Sequence, residues 1–588
     1  MTTAQTAGGT ARPAALDAPT VCAAFQTTAA ERAAEPALRL KGSDTEITWG
    51  EWAERARALA AGFASLGIGR GDTVGFMLAN RPEFLVADSA AMHLGATCFS
   101  IYNTSAPAQI EYLLTDAANR VVVTEMQFLD RIQAVRDLVP ALEYVVVIDG
   151  EGGDLTLDDL AGRGEDGFDF DAAWRAVEPE DVLCLIYTSG TTGPPKGVEL
   201  THGNLAAEWR AFDSVYPTTP GGRSISFLPS AHIADRWAQL YGCMVYGHTV
   251  HCCPDPREMV AYTLEVKPTV WGGVPRIWEK LMSALEAGFA AEPDENRKQA
   301  IQWALDVGRR KVRAEQAGEP VPDDLAAEYA KADELVGSKL RERLGLDQAE
   351  WFAVGAAPTP PEVLEFFAAF GIEIAELWGL SETSAVATIN PPGAVRFGTV
   401  GPALPGVEVK LADDGEILVR GPIVMRGYRN QPEKTAEAID SDGWFRTGDV
   451  GVIDGDGYVK IVDRKKELII NAAGKNMSPA NIEAKLKAAS QLIGQAVTIG
   501  DRRPYNVALI VLDPDGKAAF GDGDVQAEVA AAVERANEQL SRVEQIKRFT
   551  VLDEEWQPGG DELTPTMKLK RKPIAEKYAE EIEALYSS

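Results

Sequence analysis

The chain has 588 residues, 45% hydrophobic and 25% charged, with 57 Lys and Arg against 88 Asp and Glu, a net charge of −31. That length exceeds one ordinary core and implies about two to four domains, while the composition is that of a soluble globular protein. The acidic surplus excludes nucleic acid as a partner of the chain as a whole, and any anionic substrate must meet a local cluster of Lys and Arg.

The N-terminal "MTTAQTAGGTARPAALDAP" has no basic region followed by an apolar one, so it reads as a flexible leader rather than a signal peptide. No transmembrane run is expected, because no apolar stretch approaches bilayer length. Residues 48–67, "TWGEWAERARALAAGFASLG", place Trp49, Trp52, Ala56, Leu59, Ala60, Phe63 and Leu66 on one helical face. "TVGFML", "ATCFSI", "RVVVT", "YVVVI", "VLCLIY" and "SISFL" follow as short buried strands with helical spans between several of them, the rhythm of parallel sheets covered by helices. Cys22, Cys98, Cys184, Cys243, Cys252 and Cys253 show no CxxC spacing, and no HExxH occurs. Reduced thiols in a cytoplasmic protein, without a structural metal, are expected.

"LIYTSGTTGPPKGVELTHGNL" then gathers hydroxyls, glycines and one cation in a single loop. Such a loop can offer backbone N–H groups and a positive charge to a polyphosphate. It is not a Walker A sequence, since Lys196 follows two prolines and precedes Gly197. Its plain alternative is a surface turn between a strand and a helix. "TVWGG", "WFAVG" and "IEIAELWG" read as further strands and "PPEVLEFFAAF" as a helix opened by proline. The charged, strand-poor residues from about 292 to 346 read as two or more inserted surface helices.

"ELWGLSET" sets Trp378 at a strand end and Glu382 beside Thr383. An aromatic face there can pack on a purine and a carboxylate can hold Mg²⁺ on phosphates, although a helix start capped by Ser381 is the simpler reading. From about residue 398 hairpins dominate, in "VEVKLADDGEILVRG" and "DVGVIDGDGYVKIVDR". The Asp-Gly-Asp-Gly turn lacks the spacing and closing Glu of a calcium loop. Within "GWFRTGDVG", Asp449 can accept hydrogen bonds from ribose hydroxyls, or simply sit in a polar turn. A smaller unit begins after Arg464, with strands near 468–470, 496–499 and 507–512 and a charged helix over about 524–545. "LTPTMKLKRK" adds Lys568, Lys570, Arg571 and Lys572 near the C-terminus, a run that elsewhere is usually a solvated tail.

In order and spacing, "YTSGTTGPPKG", "FLPSAHIADR", "GVPRIWEK", "LWGLSET", "GWFRTGDVG", "DRKKELIINAAGKNMSPANIE" and "TPTMKLKRK" resemble the adenylate-forming (AMP-binding) superfamily over about residues 48–572. "FLPSAHIADR", "GVPRIWEK" and the charged insertion are most similar to its long-chain fatty acyl-CoA synthetase branch. The resemblance implies an α/β fold. Its large N-terminal domain (1–464) combines helix-covered parallel sheets, the insertion at about 292–346 and a β-rich subdomain at about 398–464. A small mobile α+β domain (465–588) follows.

The resemblance also implies site roles. Thr188, Ser189, Gly190, Thr191, Thr192, Gly193 and Lys196 would hold the triphosphate of ATP, with Mg²⁺ shared by Thr188 and Glu382. Gly355, Ala356 and Ala357 would line the adenine pocket, with Trp378 and Gly379 beside it. Thr383 would touch the α-phosphate, and Asp449 and Arg464 the ribose. His232 would stand at the carboxylate end of the acyl tunnel, unless it is a packed helix residue. Lys568 would stabilise the adenylation transition state, Lys466 would be the hinge, and Gly474 lies in the turn facing the CoA pantetheine channel. The implied activity is ATP-dependent activation of a fatty acid to acyl-AMP and transfer to CoA. A fatty acyl-AMP ligase serving a carrier protein and a non-catalytic nucleotide-binding regulator remain the alternatives. Peripheral contact with a membrane surface stays open.

Overall fold

A computed structural model describes residues 12–164, 167–188, 194–470, 476–521, 523–564 and 567–587. Its largest sheet has eight strands. Leu155–Thr156, Tyr144–Val147, Val121–Thr124, Thr73–Met77, Thr97–Ser100 and Val182–Thr188 lie side by side in parallel. Their unbroken runs of buried Val, Phe and Cys reflect helices on both faces. Lys196–Thr201 and then Gly427–Tyr428 extend the sheet antiparallel. The strands on either side of the Gly-Thr-Pro segment are therefore antiparallel partners, where the plain sequence reading expected a strand followed by a helix.

The helix Trp49–Ser65 starts at a capping box, Thr48 accepting from the Glu51 N–H while the Glu51 carboxylate accepts from Thr48. The apolar face expected for it is buried throughout, with Trp49 and Trp52 stacked at 4.9 Å.

A second sheet joins Arg223–Ser226, Thr249–Cys252, Pro36–Leu40 and Glu46–Thr48. A third pairs Val270–Gly273, Trp351–Val354 and Ile374–Trp378 in parallel, with Thr388–Ile389 antiparallel at its edge. The charged insertion is the crossover between the first two of these strands. That crossover carries helix Pro275–Ala290 ahead of the insertion, and Glu295–Gln316, Asp323–Ala332 and Ser338–Leu344 within it. These are not all surface helices. Glu295–Gln316 buries Ala304, Leu305, Val307 and Val312, and a Cβ at Gly308 would meet the Ala369 carbonyl oxygen at 2.2 Å. The helix is pressed onto Pro361–Ala369, and Arg313 adds an ion pair to Glu365 of that helix at 2.6 Å.

Glu408–Leu411, Glu416–Arg420, Phe445–Ile453 and Val459–Arg464 form an antiparallel sheet. Beyond it, the strands expected near 496–499 and 507–512 are Ile493–Ile499 and Asn506–Leu512, which pair antiparallel, and Ile546–Leu552 adds a parallel strand that the charge-rich sequence concealed. The helix expected over about 524–545 stops at Glu538. Two apolar clusters serve this last part of the chain, and every buried residue in them lies at or beyond Ile469. Ion pairs Arg276–Asp513 and Lys280–Asp515, the latter at 2.8 Å, tie it to the preceding residues. All six cysteines are buried and unpaired.

Candidate nucleotide and acyl site

Three parallel strand ends and two hairpins converge on one place. Thr188, the last residue of its strand, is the register partner of Lys196. Gly427–Tyr428 pairs with the same hairpin and brings the Tyr428 ring under Lys196, with Nζ 3.8 Å from the centroid. The Tyr428 hydroxyl donates to Glu382 Oε1 at 2.9 Å. Burial lowers the Lys196 pKa, and the Glu382 charge only partly offsets that. A half-buried ammonium thus sits on an aromatic face, and a single carboxylate is held beside it. Tyr428 was missed in the sequence, where "MRGYRN" showed an aromatic among cations but nothing that tied it to the loop. Ser189, Gly190, Thr191, Thr192, Gly193 and Gly474 lie outside the described residues.

Gly355, Ala356 and Ala357 follow the strand Trp351–Val354, which is parallel to Ile374–Trp378, so they stand at carboxyl ends of adjacent parallel strands. Crevices for ligands form at such ends. Ala356 holds φ at 72°, a conformation an alanine adopts only when its surroundings impose it. Gly355 has a packing reason to be glycine, since a Cβ would lie 2.6 Å from Leu377 Cδ1. Gly379 has a stronger one, with the Ala385 carbonyl oxygen at 2.1 Å from the same construction.

Asp449 and Arg464 are register partners across their hairpin and form an ion pair at 2.7 Å. Asp449 Oδ2 accepts the Trp378 indole N–H at 2.8 Å. The indole is thus anchored by its nitrogen to the carboxylate expected to hold the ribose, a link the sequence did not reveal. Burial still raises the Asp449 pKa against the pull of Arg464 and Trp378. Thr383 is fully buried, and its hydroxyl accepts the Leu380 N–H at 2.8 Å. Thr383, rather than Ser381, makes the side-chain bond of this turn, and its hydroxyl is committed there.

His232 precedes a short helix, and its Nδ1 accepts the Ala234 N–H at 3.1 Å. Burial, reinforced by the Lys568 charge, lowers its pKa to about 4. The ring is neutral near pH 7 and, with Nδ1 accepting, carries its proton on Nε2. Arg236, fully buried, fixes the loop: it donates to the Ser230 carbonyl at 3.1 Å and pairs with Asp88 at 2.8 Å. Lys568 comes from the far end of the chain. Thr564 Oγ1 accepts its N–H at 2.9 Å, and Thr564 N–H donates to its carbonyl at 2.8 Å. The residue is exposed, with charged groups of the site near enough to act on its ammonium. Desolvation and then Arg464 lower its pKa, while Asp449, Glu382 and Glu467 act in the opposite sense. Lys466 is exposed in a turn closed by Glu467 N–H to the Arg464 carbonyl at 2.9 Å.

Among the described residues no group of three or more His, Cys, Asp and Glu gathers as a metal cage, and no helix is long and apolar enough to cross a membrane. A cavity of about 550 Å³ lies between Lys466–Ile469, residues 497–501 and residues 569–573, and it shares Lys466 with these groups.

Residues 25–429 match the AMP-binding enzyme family, and residues 466–588 match the AMP-binding enzyme C-terminal domain. A Mycobacterium tuberculosis protein named fatty-acid–CoA ligase fadD11 is 56% identical over 451 residues, 74% of this chain and 79% of that protein. Long-chain-fatty-acid–CoA ligase FadD15 of Mycobacterium bovis is 38% identical over 93% of both chains. In structure, the adenylation domain of a carboxylate reductase from Mycobacterium chelonae aligns with a TM-score of 0.76 at 20% identity, covering 98% of this chain and 92% of that one.

Proposed function

The chain belongs to the AMP-binding enzyme family, and from that premise we propose that it joins a fatty acid, of long chain, to CoA by way of an acyl-AMP. One observation carries the reading. Lys196, Glu382, Asp449 and Lys568 come from four distant segments and surround the carboxyl ends of parallel strands, where a triphosphate, a ribose and a carboxylate need charge of these signs. The division into 1–464 and 465–588 is part of the proposal, supported by apolar clusters that draw only on residues from Ile469 onward.

In the first step a fatty acid carboxylate oxygen attacks the α-phosphorus of ATP, and the bond to pyrophosphate breaks. Lys196 binds the departing phosphates and Lys568 offsets charge on the carboxylate and α-phosphate. His232 offers its Nε2 proton as a hydrogen bond to the carboxylate. Asp449 has lone pairs left beyond those taken by Trp378 and Arg464, enough to accept ribose hydroxyls. Glu382 Oε2 and the Thr188 hydroxyl suit Mg²⁺, which takes one or two protein oxygens and fills its shell from phosphates and water. When bound there, the ion neutralises charge on the phosphate oxygens. In the second step the CoA sulfur attacks the acyl carbon, AMP leaves, and the thiol proton passes to solvent. No enzyme nucleophile is required.

Purified protein should consume ATP and CoA only when fatty acid and Mg²⁺ are present, releasing AMP and pyrophosphate. Product analysis across a fatty acid series checks this, and ADP with phosphate would refute it. Carrier-protein acylation without turnover of free CoA would favour the fatty acyl-AMP ligase reading. Because His232 stays neutral down to about pH 4, kcat/KM for adenylation should show no His232 limb between pH 6 and 8. A limb near pH 6.5 that disappears in His232→Asn would contradict the assigned protonation.

A further inference from the structure

Glu208 is a fully buried carboxyl with no ion-pair partner among the described residues. It lies on the helix His202–Asp213, which continues directly from the strand that begins at Lys196. Its helix neighbours Leu205, Trp209 and Phe212 are buried too. Oε1 accepts the Val386 N–H at 2.7 Å, and Oε2 is buried without a hydrogen-bond partner among the described residues. Burial raises its pKa well above the ordinary carboxylate value and so favours the protonated form. Packing alone would be better served by leucine.

What the carboxyl holds is strained. Ser384 and Ala385 have φ values of 59° and 115°, and they directly follow Glu382 and Thr383. Such a backbone persists only where its surroundings over-determine it. Glu208 binds the far side of this bend at Val386, and the Ser384 hydroxyl donates to the Ile423 carbonyl at 2.7 Å. One helical turn before Glu208, Asn204 donates to the Pro422 and Val424 carbonyls at 2.6 and 3.0 Å. The next residue, Met425, donates its N–H to the Glu382 carbonyl at 2.8 Å. The helix leaving the phosphate hairpin therefore grips both segments that flank Glu382.

We infer that Glu208, assisted by Asn204, is a positioning residue that fixes the Glu382 carboxylate in register with Lys196. This rests on the reading of Glu382 as the carboxylate that meets Mg²⁺ and the phosphates. Glu208 acts through the bend and touches no substrate, so its loss should weaken the Mg²⁺-dependent half of the reaction selectively.

The test compares wild type, Glu208→Gln, Glu208→Leu and Asn204→Asp. For each, pyrophosphate release is titrated with Mg²⁺, thioester formation is measured from supplied acyl-AMP and CoA, and Tm is recorded. Glu208→Leu should raise the half-saturating Mg²⁺ concentration and lower adenylation kcat by roughly tenfold each, while thioester formation stays within about twofold. Glu208→Gln keeps an oxygen for Val386 and should match wild type. Asn204→Asp retains its acceptor for Thr201 but loses the donors to 422 and 424, and should shift the Mg²⁺ titration in the same direction. An unmoved titration in folded Glu208→Leu, or equal losses in both half-reactions, overturns the inference. Should the leucine variant not fold, an unmoved titration in Asn204→Asp overturns it. Wild type without Mg²⁺-dependent pyrophosphate release would instead remove the adenylation reading, and this inference with it.

Discussion

Lys568→Ala is expected to slow acyl-AMP formation roughly a hundredfold, about 3 kcal/mol of barrier, and to spare thioester formation from supplied acyl-AMP. The first half follows from charge. As pyrophosphate departs, negative charge gathers around the α-phosphate in a partly desolvated site, where one aimed cation counts for far more than in water. Desolvation lowers the Lys568 pKa, and the residue interacts with Asp449, Glu382 and His232 from the preceding part of the chain. Arg464, paired to Asp449, is already committed. The second half follows from the absence of pyrophosphate departure in the thioester step. Direction of titration gives an independent check. An ammonium is present below its pKa and lost as pH rises through it, and this pKa lies below that of a solvated lysine. Adenylation kcat/KM, which reports the free enzyme, should therefore fall at alkaline pH earlier than a free lysine would allow. The same limb should be missing from Lys568→Ala. Equal losses in both half-reactions, or a limb unchanged by the substitution, would refute the role.

Local patterning carried the sheets well. Runs such as "RVVVT" are buried on both faces, so period and composition agree with the fold they enter. The Trp49–Ser65 helix was legible because its cap and its apolar face are both local. Two elements were not legible. Ile546–Leu552 sets Lys547 and Arg548 side by side and much of it is only partly buried, so no clean alternation marks it, and the partner strand Asn506–Leu512, far earlier in the chain, decides it. The helix Glu295–Gln316 reads as a surface element until Pro361–Ala369 supplies a surface to cover.

The site divides along the same line. Thr188 with Lys196, and Asp449 with Arg464, were named from the family resemblance, and each pair stands together as register partners of one hairpin. Contacts between segments far apart were not named. The Trp378–Asp449 hydrogen bond, Tyr428 beneath Lys196, and Glu208 behind the Glu382 turn arise only when separate strands meet. Each of those residues is ordinary in its own neighbourhood.

Lys466→Pro should leave acyl-AMP formation near normal and slow thioester formation from supplied acyl-AMP by roughly tenfold or more, about 1.4 kcal/mol of barrier. If Lys568 serves only the first step, the small domain must turn between steps, and a few terminal residues must absorb the change in φ and ψ. Lys466 stands where that turn is least constrained. It is exposed, and the hydrogen bonds of its turn belong to neighbours: Lys465 N–H to the Gly448 carbonyl, and Glu467 N–H and Leu468 N–H to the Arg464 carbonyl. Proline at 466 removes none of these donors, and Lys466 is not among the residues with positive φ. The orientation seen here is further held by Asp463, which accepts from Ser478 Oγ at 2.6 Å and from the Ala480 N–H at 3.2 Å. Those bonds link the last strand before Lys466 to the helix Pro479–Ala489 beyond it, so a rotation about Lys466 would have to release them. A ring that narrows φ at 466 and restricts Lys465 should favour the state they already hold, the one presenting Lys568. Lys466→Ala controls for the lost ammonium and should leave both steps largely intact. A folded proline variant that completes thioester formation at the wild-type rate would show that no rotation about this residue is needed.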